Sequence, residues 1–262
     1  MTQDEVKPYS KLKITKAYLS YFISGKTKHG IHSPTVYDFI ENIIDKAYKS
    51  KSKSIENERT RLKKSKQVID FKDYGKYGNI FRKNISDIAR ASLKSAKYAT
   101  LLSQLVKYYK AKRVLEVGTS LGITTAYLAQ NKDILVDTYE GDHTVANLAQ
   151  GVWNQLGLTN VSSIVGNFDA TLSEIDDVIY DVIYIDGNHK LDPTLRYFDQ
   201  LQKNASESTV FIFDDIHYSK QMEEAWKQIK EMSKVSITID LFFLGIVFMD
   251  PTLSKQNFIL RY

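Results

Sequence analysis

The hydrophobic pattern changes character near the middle of the chain. From Ser33 to Lys49 apolar residues recur at helical spacing: Val36, Phe39, Ile40, Ile43, Ile44 and Ala47 share one face. Ser33 can cap this helix and Pro34 suits its first turn. The Lys/Ser-rich stretch 49–66 then breaks the periodicity, and Asp73–Asn79 (DYGKYGN) reads as a glycine-rich loop. A second helix is predicted from about Ser86 to Tyr109, with Ile88, Ala89, Ala96, Ala99, Leu105, Val106 and Tyr109 on its apolar face. After Lys112, short apolar runs alternate with helical stretches. Strands are predicted at Arg113–Val117, Leu135–Tyr139, Val161–Val165, Asp181–Ile185 and Thr209–Phe213. Helices are expected near Thr124–Gln130, Thr144–Leu156, Ala170–Ile175, Pro193–Lys203 and Gln221–Met232. Such alternation means a parallel sheet with helices on both faces. Ser236–Leu241 and Leu244–Met249 read as a closing antiparallel hairpin at the sheet edge, and Gln256–Tyr262 is a candidate last strand.

Composition narrows the class. A chain of 262 residues with 43% hydrophobic content suffices for one large domain with an extension. It has no cysteine, which removes disulfides, thiolate metal sites and cysteine nucleophiles. No apolar run approaches the ~18–20 residues that span a bilayer, and the first residues lack a signal core. The expected setting is the cytoplasm. Charge is split: residues 1–100 carry 22 Lys and Arg against 10 Asp and Glu, a net of +12, and the remainder carries −7. Nine basic and two acidic residues lie in Lys46–Lys66. One reading is an arm that meets nucleic acid or phosphate. The other is a solvated, mobile connector, since Tyr48 is the one aromatic there.

The first strand ends in VLEVGTSLG, Val114–Gly122. Glycine turns after a strand approach ligands closely. A dinucleotide loop would read G-x-G-x-x-G, but Ser120 holds the middle glycine position. A P-loop would end in G-K-[ST], and here Ile123 and Thr124 follow Gly122. Glu116, two residues before Gly118, would repel a pyrophosphate and favour a cationic group. Glu140 ends the second strand, where an acid can accept both ribose hydroxyls. S-adenosylmethionine has that combination, a ribose and an ammonium without a phosphate.

In this order, EVGTSLG, YEGD (Tyr139–Asp142), VGNFDATL (Val165–Leu172), YDVIYIDGNH (Tyr180–His189) and the closing hairpin resemble the class I S-adenosylmethionine-dependent methyltransferases over about Arg113–Met249. The resemblance implies a Rossmann-like, doubly wound, seven-stranded α/β sheet. That sheet is mostly parallel, with an antiparallel edge hairpin, and carries an α-helical N-terminal extension. It implies a helical extension or lid over 1–80, with the basic connector 46–66, and a catalytic domain over 81–262. It places Gly118, Thr119, Ser120 and Gly122 around the methionine part and ribose. Glu116 would hold the ammonium, Glu140 with Gly141 the ribose hydroxyls, and Asn167 and Phe168 the adenine. The family often has Asp where Asn167 stands.

Two further strand ends are acidic: IDGNH carries Asp186 and His189, and FDDIH carries Asp214, Asp215 and His217. Three hard oxygen donors at one mouth suit Mg²⁺ or Ca²⁺. The arrangement resembles the catechol O-methyltransferase type, which has a carboxamide where Asp215 stands and a lysine where His189 stands. His189, beside Asp186, is the candidate base for removing a proton from a hydroxyl, and Asp186 would also touch the cofactor. His217 reads as structural. IDGNH lacks the proline turn of adenine and amide methylation. Cysteine-dependent pyrimidine C5 methylation has no nucleophile here. O-methylation of a small hydroxylated molecule leads. The alternatives are an RNA or protein methyltransferase guided by the basic segment, and a cofactor-binding domain without chemistry.

KHGIHSP (Lys28–Pro34) resembles an N-terminal signature of bacterial methyltransferases of this class, particularly from Bacteroidetes. The basic extension either meets an anionic acceptor or docks on acidic surface of its own chain or of a second subunit, which makes a homodimer one expectation. His29 and His32 read as turn and cap residues.

Overall fold

The computed structural model describes residues 7–72 and 79–262. DYGKYGN, apart from Asn79, lies outside the described residues. In chain order the elements are α1 (Lys11–Ser24), α2 (Pro34–Phe39), α3 (Lys53–Lys64), β1 (Val68–Lys72), β2 (Ile80–Asn84), α4 (Ile85–Ser92), α5 (Ala96–Tyr108), β3 (Arg113–Val117), α6 (Ile123–Leu128), β4 (Leu135–Glu140), α7 (His143–Leu156), β5 (Val161–Val165), α8 (Phe168–Thr171), β6 (Tyr180–Ile185), α9 (Leu191–Leu201), β7 (Ala205–Asp214), α10 (Lys220–Glu231), β8 (Ile237–Asp240), β9 (Leu244–Phe248) and β10 (Gln256–Ile259). The fold class is the expected one, a mostly parallel α/β sheet with flanking helices and an N-terminal helical extension, here with eight strands. No helix among the described residues is long and apolar enough to cross a membrane.

The chain divides into two compact units, Asp38–Asp176 and Met1–Tyr37 with Asp177–Tyr262. In the first, β3, β4 and β5 pair in parallel in that order. Helices α6 and α7 pack on α3 and α4 through Ile55, Leu62, Ile88, Leu121, Ile123, Tyr127, Val152 and Trp153. In the second, β6 pairs in parallel with β7, and β9 runs antiparallel between β7 and β8. Strand β10 then pairs in parallel with β8. The hairpin β8–β9 forms as expected, but it is not the last element of the sheet, because Gln256–Ile259 uses the outer hydrogen bonds of β8.

Helix α1, which no periodicity in the sequence marked, begins at Ser10, whose hydroxyl accepts from the Lys13 amide. Its Tyr18 meets Phe242 edge-on at 5.1 Å, and its buried Tyr21 donates to the Leu260 carbonyl. The helix expected from Ser33 starts at Pro34 and continues past Phe39 through one wide turn, where the Asp45 amide donates to the Ile40 carbonyl. The helix expected over Ser86–Tyr109 is two helices. The chain is extended at Leu93 and Ser95, so the Lys94 carbonyl leaves the helical ladder and accepts from Arg59 instead.

The lysine-rich stretch departs most from expectation. A mobile connector was one reading, and Lys53–Lys64 is a three-turn helix capped by Ser52. Its buried positions are Ile55, Arg59 and Leu62, spaced at i, i+4 and i+7. The stripe is narrow, and its middle member is charged, so it does not read as apolar. Arg59 Nε bonds both oxygens of Glu56 at 3.0 and 3.1 Å, and the Tyr127 hydroxyl donates to Glu56 at 2.8 Å. The guanidinium is thus buried against a half-buried counter-ion. After α3, β1 and β2 form an antiparallel pair with Phe71 opposite Phe81.

If this stretch is packed as described, Leu62→Ala should cost about 2–4 kcal/mol in urea unfolding. A solvated connector would tolerate the change, leaving the midpoint unmoved.

Candidate functional site

Glu116 is the penultimate residue of β3 and is fully buried. Its Oε2 accepts from Thr125 at 2.5 Å and from Thr138 at 2.7 Å. Since Thr138 spends its proton on Glu116, the 2.6 Å contact between the Thr119 and Thr138 hydroxyls has Thr119 as donor. Two threonines, from α6 and β4, therefore donate to a single carboxylate oxygen, and Thr119 from the loop donates to the second of them. The other oxygen, Oε1, is buried and has no hydrogen-bond partner. Burial raises the Glu116 pKa to about 7, opposed by the threonine hydrogen bonds. A buried carboxylate with one unused oxygen is suited to a cationic donor.

The loop after β3 is held by backbone bonds. The Gly118 and Thr119 amides both donate to the Tyr139 carbonyl, at 2.9 and 3.2 Å. Gly118, Ser120 and Gly122 all have positive φ, at 105°, 50° and 73°. Glycine accepts this freely, and Ser120 is a local strain. At Gly122 a Cβ would come within 2.6 Å of the Trp153 indole nitrogen, which donates to the Gly122 carbonyl at 2.9 Å. Gly122 thus serves close packing of α7 against the loop.

Glu140 ends β4 next to Gly141. Its carboxylate accepts from the Ser120 amide at 2.8 Å and from the Asp142 amide at 3.1 Å. Burial, against these amide bonds, lifts its pKa to about 7. Glu140 therefore joins two loops as well as presenting an acid at the strand end. Asn167 precedes Phe168 and caps α8, its side-chain oxygen accepting from the Asp169 amide at 2.8 Å.

The second unit carries its own cluster at the carboxyl ends of β6 and β7. Tyr184 donates to Asp186 Oδ2 at 2.9 Å, and His189 Nε2 lies 3.5 Å from Asp186 Oδ1. Asp186 thus stands between a buried phenol and a part-exposed imidazole. His189 also lies against the Tyr218 ring, with centroids 5.6 Å apart. His217 is placed differently. Its Nε2 is 2.8 Å from Asp240 and its Nδ1 is 3.6 Å from Glu223, so both ring nitrogens face carboxylates. Burial works against its charge, but the Asp240 hydrogen bond and the two carboxylates carry its pKa above the ordinary value. Tyr9 donates to the same Glu223 at 2.5 Å, and the Tyr9 amide bonds the Tyr218 carbonyl. Both carboxylates thus hold the His217 ring in place.

The expected metal site does not assemble. Among the described residues no three His, Cys, Asp or Glu side chains stand together as a group able to hold a metal ion. Asp214 is the buried last residue of β7, paired with Leu244. Asp215 leaves the strand with φ 51°, its amide donating to the Phe243 carbonyl. Successive residues at a strand end point to opposite faces, and the turn at Asp215 does not bring them back together with Asp186. Thr119, Thr125 and Thr138 were not anticipated as a Glu116 support, although a threonine amid the apolar residues of LVDTYE was a visible signal.

Residues 115–216 match a family described as a methyltransferase domain. The chain carries a methyltransferase domain. The match begins at Leu115 and ends at Ile216, so it takes in Glu116, the glycine loop, Glu140, Asp186, His189 and Asp214. Among solved structures, the O-methyltransferase TomG from Streptomyces achromogenes, in complex with SAM, is 21% identical. It covers 60% of this chain and 82% of its own, with a TM-score of 0.53. Cofactor-bound Rv0187 from MTB is 16% identical over 80% and 96%, at 0.61. A putative caffeoyl-CoA O-methyltransferase from Staphylococcus aureus is 17% identical over 80% and 98%, also at 0.61. These likenesses establish the shared fold. No curated protein matches the chain.

The methyltransferase domain should carry a pH signature from Glu116. Its folded pKa, about 7, lies above the ordinary 4.5. The stabilising contribution is complete below about 4.5 and is lost as pH rises through about 7. Melting temperatures of the unliganded protein should therefore fall less steeply between pH 5 and 8 in Glu116→Gln than in wild type. Parallel curves would overturn the assignment.

Proposed function

We propose that this methyltransferase transfers a methyl group from S-adenosylmethionine to a hydroxyl of a small molecule. The observation that carries the reading is Glu116: a fully buried carboxylate at the end of β3, with one oxygen saturated by threonines and the other without a partner. Oε1 would accept from the ammonium of the methionine part. The left-handed loop Gly118–Gly122, with Thr119 and Ser120, would run beside it. Glu140, with Gly141, would take the ribose hydroxyls, exchanging part of its present hold on the Ser120 amide. Asn167 and Phe168 would border the adenine. S-adenosylmethionine supplies an electrophilic methyl group on a sulfonium. The descriptions of similar structures as O-methyltransferases support oxygen as the acceptor atom.

His189 would act as the base. With Nε2 turned to Asp186, Nδ1 is the atom left to take the hydroxyl proton. Asp186, fixed by Tyr184, would stabilise the imidazolium that forms. His217 cannot share this role, because both its nitrogens are already directed at carboxylates.

Calorimetry with S-adenosylmethionine and its demethylated product tests the donor. Glu116→Gln should weaken donor binding about 10- to 100-fold, as loss of a charged hydrogen bond does. Wild-type affinity should rise with pH through about 7 as Glu116 ionises. Absence of binding to either ligand would sink the reading. For the base, His189→Gln should lower turnover of a dihydroxybenzene probe about 10²- to 10⁴-fold, with donor affinity unchanged.

A further inference from the structure

The segment between Asp186 and His189 is built in an uncommon way. Asn188 and His189 are consecutive non-glycine residues with positive φ, at 68° and 40°. The His189 amide donates to the Gly187 carbonyl at 2.9 Å, closing a three-residue turn centred on Asn188. A three-residue turn with its central φ positive is the rare, strained hand. Such a conformation persists only where neighbouring groups hold it. Asparagine is among the few residues that enter this region at low cost. Its side chain is also used: Nδ2 donates to the Tyr197 hydroxyl at 3.1 Å, and Tyr197 is buried on α9. The Asn188 Oδ1 is buried and has no hydrogen-bond partner.

The consequence of the turn is geometric. After Asp186 an extended chain would carry residue 189 about 10 Å onward. The turn doubles the chain back, and the His189 imidazole returns to 3.5 Å from the Asp186 carboxylate. Gly187 supplies the acceptor carbonyl, Asn188 the reversed backbone, and Tyr197 the anchor beneath it. Past the turn, the Leu191 amide is held by Gln221, so the chain is fixed on both sides of His189.

We propose that Asn188 is a positioning residue, which holds His189 against Asp186 through this strained turn and its bond to Tyr197. The importance of that pairing for catalysis rests on the reading of His189 as the base; the positioning itself does not. No other residue type meets both demands as well. Glycine permits the backbone but has no tether. Alanine and leucine have neither advantage. Aspartate tolerates the backbone and can accept from the Tyr197 hydroxyl, so it is the conservative replacement.

The test reads His189 directly. Nitrogen-15 correlation spectra of the histidine rings, with His189 identified by its loss in H189Q, report the environment of both ring nitrogens without any acceptor present. In N188A and N188G the His189 resonances should move toward those seen in D186N. N188D should restore them toward wild type, and Y197F should produce a smaller change of the same sign. Donor affinity by calorimetry should stay within about two-fold, since Glu116 is untouched. Turnover of the dihydroxybenzene probe should fall by about 100-fold, the cost of displacing a reacting group by about 1 Å, with KM for the probe unchanged. Because alanine is strained at φ 68°, N188G is the deciding variant where N188A does not fold. Unchanged His189 resonances in N188G would overturn the proposal. Shifted resonances in N188G, with H189Q retaining full turnover, would uphold the positioning role and remove His189 as the base.

Discussion

The fully buried carboxylate of Glu116 ties β4 and α6 to β3 within the unit Asp38–Asp176. Placing an acid at zero exposure on a central strand is expensive unless its oxygens are satisfied. The chain answers with threonines on three elements. Thr138 from β4 and Thr125 from α6 converge on one oxygen, and Thr119 from the loop backs Thr138. Their convergence sets the positions of β4, the glycine loop and the start of α6 relative to β3. The second oxygen is left without a protein partner, which is the feature that the proposed donor site uses.

Histidine roles in the other unit follow from what each ring nitrogen meets. His217 is enclosed by Asp240 and Glu223, with Phe242 stacked on its face at 5.1 Å. A ring so placed ties α10 and β8 together, and Tyr9 joins it through Glu223. His189 meets one carboxylate and is part-exposed. The sequence presents both as a histidine three residues after an aspartate at a strand end. Their partners separate them: His217 is held by Glu223 and Asp240 from α10 and β8, whereas His189 pairs with Asp186, three residues back.

The basic extension shows how a charge run can conceal a packed helix. In Lys53–Lys64 three positions are buried and the other nine are polar or charged. Arg59 belongs to both descriptions: it adds to the net charge, and it is buried against Glu56 and the Lys94 carbonyl. The interruption between α4 and α5 exposes the carbonyl that Arg59 uses. Two departures from simple periodicity therefore support one another.

Local pattern was enough to identify the strand–helix alternation after Lys112 and the hairpin of β8 and β9, and it singled out the loop after β3 as the candidate ligand loop. These rest on short-range rules: two-fold and 3.6-fold spacing, glycine at a turn, an acid at a strand end. The same rules pointed to Glu116, Glu140, Asp186 and His189 as the residues to watch. What tertiary structure decided is which groups those side chains meet. Glu140 bonding the Ser120 amide, Gly122 yielding its space to Trp153, and Asp214 and Asp215 failing to form a metal group with Asp186 all depend on residues far apart in the chain or on the direction of a strand end. The strained turn at Asn188 belongs with them, because its anchor, Tyr197, lies on the following helix. Sequence periodicity encodes which face a residue occupies; only the folded chain determines which partner is waiting there.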